Sequence, residues 1–261
     1  MVAAFLSEMV KLRQRTYWLM AAVMVAFMAI TMVMSISGAG DAPSDRGPAG
    51  LVLALQQLQA SDGLGRSLGN AATFLGIVAV TLIALNVGGE YDHGTLRNLL
   101  VRQPRRIRLL GGKTAALMSF LAGTTIVTGL AGVGMAHLLA SNVDTTAWQT
   151  RDGLTATTAG VAGLTAAVLG WASLGVLAGI LLRSAAIAIG AAVAYALPVE
   201  ILLTVVAGDV ARWLPGQLFQ ALARGGTPDV NPTTALLGSA AWATAAMLLA
   251  ALIFRHRDVT N

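Results

Sequence analysis

Few residues of this chain have the types and spacing of a catalytic or metal site. The three histidines, His93, His137 and His256, are far apart and lack the spacing of metal ligands. There is no His-Glu-x-x-His helix and no Gly-x-Ser-x-Gly elbow, which disfavours hydrolases of those two kinds. Cysteine is absent, so a disulfide or a thiolate metal site is impossible. The sequence predicts no catalytic residue, no metal site and no cofactor bound by this chain.

One short stretch, Gly111-Gly112-Lys113-Thr114, looks like the end of a phosphate-binding loop. That loop needs a glycine six residues before its lysine, where this chain has Ile107, and it follows a strand. Lys113 instead stands where a long apolar run begins. We therefore expect no ATP binding here.

The densest group of charged residues follows the second apolar run, from Glu90 to Lys113. Gly94-Thr95 offers a bend and a cap for a short helix that Pro104 ends. The apolar face of that helix would carry Leu96, Leu99 and Leu100. Such a helix can dock in a groove of a cytoplasmic partner, or its arginines can contact anionic lipid headgroups. The residues alone leave both interpretations open.

A second candidate for chemistry is Glu200, in the segment Leu197-Pro198-Val199-Glu200 of an apolar run. An ionisable group at depth in a membrane is costly and is usually functional or paired. Pro198 can break the helix and free backbone carbonyls. We expect Glu200 to face the outer part of a translocation path or an outer hairpin; alternatively, the span ends early and Glu200 is interfacial.

The elements that position these residues are membrane helices. The chain is 56% hydrophobic and 11% charged, whereas soluble domains carry about 25% charged residues. Runs of about 18 or more apolar residues indicate membrane spans. Six spans are predicted, at about residues 17–36, 68–89, 114–140, 154–182, 184–207 and 234–254. The fold class is therefore an all-α integral membrane protein with a single six-span domain over residues 16–261, and a tight turn near Arg183 separates spans four and five.

The distribution of basic residues predicts that both termini are cytoplasmic, because cytoplasmic loops are enriched in Lys and Arg. With the N-terminus inside, 12 of the 17 lie on the cytoplasmic side: Lys11, Arg13, Arg15, Arg97, Arg102, Arg105, Arg106, Arg108, Lys113, Arg183, Arg255 and Arg257. The other five lie outside: Arg46, Arg66, Arg151, Arg212 and Arg224. The net charge of +5 is thus explained by topology, and no nucleic-acid partner is expected.

Two shorter amphipathic segments flank the first span. In residues 1–15, Val2, Phe5, Leu6, Met9 and Leu12 fall on one helical face, with Glu8, Lys11 and Arg15 on another. We expect a helix in the inner membrane interface; a cleaved signal peptide is disfavoured because its apolar core would be shorter. Leu51–Gln59 predicts a short helix on the outer surface, as a lid or a packing element.

The segment after span two resembles the signature of type-2 ABC exporter permeases, the membrane subunits of bacterial drug, antibiotic and peptide efflux systems. The resemblance rests on Glu90, Gly94-Thr95-Leu96-Arg97, Leu99-Leu100, Pro104, Arg106 and Gly112-Lys113, and on the six-span layout. It implies that this stretch is the coupling helix that contacts the ATPase. The docking residues would be Glu90, Tyr91, Gly94, Thr95, Leu96, Arg97, Leu100, Pro104 and Arg106. The family also has an outer hairpin between spans five and six, for which residues 213–222 are the candidate.

The resemblance implies a permease that pairs with a second copy or a paralogue and with two cytoplasmic ATPase subunits, which carry the ATP and Mg. It would export a hydrophobic or amphipathic substrate across a bacterial cytoplasmic membrane. A stand-alone secondary transporter is the alternative, although one off-centre Glu and no internal repeat make it weaker. A membrane assembly or immunity protein is the third possibility.

Overall fold

The computed structural model describes residues 2–39, 53–95 and 105–256, and in these ranges the chain is helical. The first five helices are α1 (Val2–Lys11), α2 (Arg15–Ser37), α3 (Leu55–Gln59), α4 (Gly63–Gly69) and α5 (Ala72–Asp92). The next three are α6 (Arg106–Leu139), α7 (Arg151–Leu182) and α8 (Ala185–Ala194). The last three are α9 (Glu200–Val206), α10 (Pro215–Arg224) and α11 (Pro232–His256). Short 3₁₀ turns at Thr146–Gln149 and Gly208–Trp213 and a π turn at Tyr195–Val199 complete the chain.

Six helical segments of the described chain are long and apolar enough to cross a membrane, which confirms the predicted fold class. They are Arg15–Ser37, Gly63–Asp92, Arg106–Leu139, Arg151–Leu182, Ala185–Val206 and Pro232–His256. Each contains the core of a predicted span. Of the predicted outer helix 51–59, residues 51 and 52 lie outside the described residues and Leu55–Gln59 forms α3. The Leu58 side chain is fully buried, and its carbonyl accepts a hydrogen bond from Trp148 Nε1 (2.8 Å).

The third span begins earlier than predicted, at Arg106 rather than Thr114. No proline follows Arg106 before the apolar run, and arginine is a good helix former, so the helix extends beyond the apolar residues. Two charged residues also lie elsewhere than the sequence predicts. Lys113 lies inside α6 instead of at its start, and Glu90 lies in the last turn of α5, so both are charged residues within spanning helices, as Glu200 is.

The turn between spans four and five lies at Arg183, as predicted. Arg183 has φ 55°, in the left-handed region, and caps the C-terminal end of α7. Its N–H donates to the carbonyl of Gly179 at 3.1 Å, which closes the last turn. Spans four and five therefore form an antiparallel hairpin.

The second and fourth spans form the centre of the bundle: 72% and 61% of the residues in their most apolar stretches are buried. Glycines allow this close packing: Gly175 approaches Val80, and Gly179 approaches Val87. The fifth and sixth spans are only 17% buried and expose most of their apolar surface. The core is therefore one-sided, and spans five and six present apolar faces to their surroundings.

The segment between spans five and six packs into the bundle. Gly208 (φ 51°) turns the chain, and Pro215 starts α10 at its first position. Leu218 and Phe219 of α10 are buried, and α10 contacts α4, α5, α7 and α11. Residues 213–222 thus belong to a helical return segment; its depth in a membrane stays a prediction.

We expect Gly160→Ala to destabilise the protein, because a Cβ on Gly160 would lie 2.7 Å from the Cα of Gly65 on α4. Two backbones would have to separate, which costs about 1–3 kcal/mol. The measurement is the thermal unfolding midpoint in detergent. Gly123→Ala is the matched control, since no atom lies within 4 Å of its added Cβ; it should leave the midpoint unchanged or raise it slightly. Equal midpoints for the two variants would contradict the packing described here.

Candidate functional site

The N-terminal helix α1 turns its charged residues toward the protein. Glu8 is 4% exposed, whereas Leu6, Met9 and Val10 are exposed. The predicted faces are mixed in the structure: Leu6 and Met9 of the apolar face point away from the bundle, whereas Leu12 of the same face is buried on the side of Glu8. This orientation is favourable where the surroundings are lipid, because the buried charge has partners inside the protein.

Glu8 belongs to a network of four charged side chains, two of each sign, which we call the lysine–glutamate network: Glu8, Lys11, Glu90 and Lys113. Lys113 Nζ lies 2.7 Å from Glu90 Oε1 and 3.4 Å from Glu8 Oε1. Lys11 Nζ lies 2.7 Å from Glu8 Oε1 and 2.9 Å from Glu90 Oε1. Glu90 and Lys113 are 8% and 5% exposed. The formal charges cancel, so three helices, α1, α5 and α6, are joined without a net buried charge.

Two uncharged groups extend the network. Asn86 Nδ2 donates to Glu8 Oε2 at 3.2 Å and to the hydroxyl oxygen of Tyr17 at 2.9 Å. Tyr17 is in the first turns of α2, so the first span is tied to the same cluster. Every carboxylate of the network thus has at least one close donor, as buried ionised groups require.

The surroundings shift the pKa values of the two α1 residues in opposite directions. Burial raises the pKa of Glu8, but Lys113 and Lys11 together outweigh it and hold the pKa below its ordinary value of 4.5. Burial lowers the pKa of Lys11, but the carboxylates of Glu8 and Glu90 outweigh it and raise the pKa above 10.5. Both groups are therefore charged at neutral pH, and each stabilises the other.

Asp92, two residues after Glu90, holds a fourth helix. Its Oδ2 accepts a hydrogen bond from the backbone N–H of Ala185 (2.9 Å), the first residue of α8. A carboxylate at a helix N-terminus is favourable because of the unpaired N–H groups and the helix dipole. The last turn of α5 thus contacts α1 and α6 through Glu90, and α8 through Asp92.

The structure places four of the predicted docking residues beside this last turn. Glu90 is buried with its carboxylate bound to two lysines, and Tyr91 is half-buried against the core. Gly94 (φ 64°) and Thr95 are exposed just beyond the helix. Arg106 is the first residue of α6. The remaining four lie outside the described residues: Leu96, Arg97, Leu100 and Pro104. The docking role of the whole set stays a prediction.

Sequence reasoning missed the partners of Glu90. The network contains both lysines of a chain that otherwise uses arginine, and two of its three glutamates. A lysine ammonium is a compact point charge that can sit between two carboxylates, whereas the planar guanidinium of arginine needs more space. Two lysines among 15 arginines were therefore a signal that these positions are special.

The second predicted site, around Pro198 and Glu200, lies at the other end of the bundle. Pro198 sits inside the π turn Tyr195–Val199, which accommodates its missing N–H without ending the span. Glu200 follows as the first residue of α9 and is 4% exposed, whereas Val199 and Ile201 are exposed. The helix continues to Val206, and the depth of Glu200 in the membrane stays a prediction.

Glu200 faces α10. A Cβ on Gly216 would clash with both carboxylate oxygens, so the glycine is what permits this approach. Gly216, Gln217 and Tyr195 surround the carboxylate, but none meets both the distance and the angle of a hydrogen bond. Within the described chain, neither oxygen of Glu200 has a hydrogen-bond partner.

A cavity of about 220 Å³ adjoins this carboxylate. Its wall includes the aromatic rings of Phe74 and Trp171 and the polar side chains of Thr73, Gln217 and Gln220. Gln220 is held in place, since it donates to the carbonyl of Gly69 (3.2 Å) and accepts from Thr73 (3.1 Å). Among the described residues, no group of three His, Cys, Asp or Glu side chains is placed to hold a metal.

The phosphate-loop candidate is part of a regular helix. Gly111, Gly112 and Lys113 lie inside α6, where their backbone N–H groups bond within the helix, and Lys113 is engaged by Glu90. These N–H groups are therefore not available to cradle a phosphate.

In a comparison with protein families, residues 9–259 match the family described as ABC-2 family transporter protein. The match covers nearly the whole chain, including all six spans, the cavity beside Glu200 and three of the four network residues; Glu8 lies one position before it. No curated protein matches the sequence.

Replacing Lys113 should destabilise the protein far more than replacing Lys11, although both contact Glu90. Lys113→Met leaves a buried carboxylate uncompensated, which costs about 3–5 kcal/mol. Lys11→Met leaves the same charge imbalance, but water reaches this side of the network because the Lys11 side chain is 36% exposed, so the loss should be clearly smaller than for Lys113→Met. Thermal unfolding of the two variants tests this. The double variant Lys113→Met/Glu90→Leu restores charge balance and should recover part of the loss; no recovery would contradict an electrostatic origin.

Acidification should release α1. Because the pKa of folded Glu8 lies below 4.5, its stabilisation is complete above pH 4.5 and is lost as the pH falls through the folded value. The thermal midpoint of the wild type should therefore fall on acidification more than that of Glu8→Gln. The difference between the two curves isolates Glu8 from the other carboxylates. Parallel curves from pH 7 to acid would show that Glu8 gains nothing from its lysines.

Proposed function

This chain belongs to the ABC-2 transporter family, and we propose that it is the permease subunit of an ATP-driven exporter. ATP hydrolysis would take place on a separate pair of cytoplasmic ATPase subunits, which bind the ATP and the Mg. The permease would supply the path for the substrate and the surface that receives the ATPase.

The observation that carries this proposal is the arrangement around the last turn of α5. The predicted coupling segment starts there, between Glu90 and Arg106. Its entry is bound to α1 and α6 through Glu90, and to α8 through Asp92. A segment that only contacted lipid headgroups would not need such attachments, whereas one that receives force needs them.

The attachments support a mechanism. Movement of the ATPases on ATP binding would displace the segment after Asp92. Because Glu90 and Asp92 contact three other helices directly, that displacement would reach spans three and five and the N-terminal helix together. Rigid-body rocking of packed helices is a common way to alternate between two open states.

We propose that the end of the bundle with the lysine–glutamate network faces the cytoplasm of a bacterial cell. Both termini would then be inside, in the cytoplasmic membrane. The basic residues support this orientation, since Arg13, Arg105, Arg108 and Arg255 lie exposed near that end. Glu200 and its cavity would then open toward the outer side.

A second permease chain, identical or a paralogue, would complete the transporter. The low burial of spans five and six supports this, because they offer apolar surface to another subunit and to membrane lipid. Residues such as Ile201, Leu202 and Val205 are exposed along this surface. If the translocation path runs along this apolar surface, it suits a hydrophobic or amphipathic substrate, namely a drug, an antibiotic, a peptide or a lipid.

The test of the proposed function is co-purification from the native membrane in mild detergent. The tagged wild type should bring an ATPase subunit in equal amount. Arg97→Glu should reduce that recovery about tenfold or more, because it reverses a charge within the predicted docking segment. Arg97 is a better choice than Glu90, since replacing Glu90 would also disturb the lysine–glutamate network.

Arg255→Glu is the matched control, because it reverses an exposed charge at the same end of the bundle. It should recover the ATPase like the wild type. A folded wild-type protein that brings no ATPase would overturn the exporter assignment and favour a stand-alone transporter. Equal loss from both variants would show a general charge effect rather than docking at residue 97.

A further inference from the structure

The three glutamates of this chain have very different surroundings. Glu8 and Glu90 are each bound by Lys11 and Lys113. Glu200 is as deeply buried as Glu8, at 4% exposure, yet neither of its oxygens has a hydrogen-bond partner in the described chain. An isolated buried carboxylate is costly. Donor groups of Tyr195, Gly216 and Gln217 only approach this carboxylate, and the cavity beside it leaves room for a partner from outside the described chain.

The walls of the cavity indicate the kind of partner. Two aromatic rings, Phe74 and Trp171, line it beside the carboxylate. The faces of such rings attract organic cations, tryptophan most strongly. A protonated amine also supplies N–H donors to both oxygens of a carboxylate, and charge-assisted hydrogen bonds of this kind are the strong ones.

The other polar groups limit the alternatives. A hard metal cation requires several oxygen ligands, and Glu200 is the only carboxylate on this wall, with neutral amides and a hydroxyl around it. Arg224 also lines the cavity, and its positive charge disfavours any cation next to it, so an organic cation would have to bind at the Glu200 side of the cavity. The volume of about 220 Å³ is below that of pockets for whole drug-sized ligands, about 300–1,000 Å³. The cavity therefore suits one end of a ligand.

We propose that the cavity beside Glu200 binds the alkylammonium group of an organic cation, with the carboxylate as its ion-pair partner and Phe74 and Trp171 against its carbon atoms. If the protein is an exporter, its substrates would be amphipathic molecules that carry an amine, and the cavity would bind them near the outer end of the translocation path. That second statement rests on the proposed function; the binding itself does not.

The test uses the full-length purified chain in detergent, without any ATPase. The probe is n-butylammonium at pH 7, and n-butanol is the uncharged molecule of the same length. Butylammonium should raise the thermal unfolding midpoint in a concentration-dependent way, since a ligand that binds only the folded state stabilises it. Butanol at equal concentration should not.

Glu200→Gln removes the charge and keeps the size of the side chain. It should fold, with a midpoint no lower than that of the wild type, because it removes a buried charge that has no partner. Half-saturation by butylammonium should shift upward about tenfold or more in this variant. Asp209→Asn is the matched control: it removes an acidic charge from the exposed 3₁₀ turn that follows α9 and should leave the response unchanged.

A residue-level readout separates binding from a general effect on stability. Dicyclohexylcarbodiimide, an apolar reagent, labels buried carboxyl groups, and mass spectrometry identifies the labelled residue. Butylammonium should protect Glu200 and leave the labelling of Glu8 and Glu90 unchanged, since their lysine partners are internal. The two paired glutamates are thus controls within the same molecule.

Three outcomes would overturn the proposal. A response to butanol equal to that to butylammonium would show an apolar cavity without charge recognition. An equal response to sodium chloride would show an inorganic cation site. A folded wild type that responds to none of them, with Glu200 labelled regardless, would show that the carboxyl group needs no cation. Loss of ATPase co-purification alone would overturn the exporter role and leave the binding result standing.

Discussion

A charge inside a lipid-embedded bundle needs a partner of opposite charge, and the lysine–glutamate network shows how this protein supplies one from its own chain. Two carboxylates and two ammonium groups from three helices share one small volume, with Lys113 Nζ 2.7 Å from Glu90 Oε1. The orientation of α1 follows from this pairing. If Glu8 pointed away from the bundle, Lys113 would lose one of its two carboxylate partners. Glu8 itself would then face lipid tails or headgroups. The apolar residues Leu6 and Val10 face outward instead, at little cost in a membrane.

The same pairing joins parts of the chain that are distant in sequence. Glu8 and Lys113 are 105 positions apart, and both contact groups at the end of α5. Asp92 then adds the start of span five through the N–H of Ala185. The last turn of α5 is thus held by ionic contacts and a hydrogen bond to three other helices. A displacement of this turn would therefore move the helices bound to it, because closely packed interiors have little compressibility.

The spans, their number and the turn at Arg183 could be predicted from the sequence, because uncharged runs and their interruptions are local signals. The two faces of α1 were also visible, but a helical pattern does not say whether a polar face contacts water or protein. The partners of Glu90 depend on which helices are neighbours, which no local pattern contains. The early start of α6 could not be predicted from hydropathy, because hydropathy indicates where the chain enters lipid. The helix begins where its backbone hydrogen bonds begin, which is at Arg106. The cavity could not be predicted from Glu200 and Pro198 alone, since its other walls come from α5, α7 and α10.

The two ends of the bundle treat buried carboxylates in opposite ways, and the local sequence shows that both arrangements belong to the fold. At one end the only two lysines of the chain neutralise Glu8 and Glu90. At the other end Pro215-Gly216 starts α10 with a residue that has no Cβ, and a side chain there would displace Glu200 from its position. The π turn at Pro198 in turn buries Glu200 while its neighbours Val199 and Ile201 face outward. With an alanine at position 216, the added Cβ would push the Glu200 carboxylate out of the bundle. A regular helix in place of the π turn would also change the direction in which Glu200 points. Because the chain instead makes room for it, a buried carboxyl group without a hydrogen-bond partner belongs to the design of this end, whereas the carboxylates of the other end are paired with lysines.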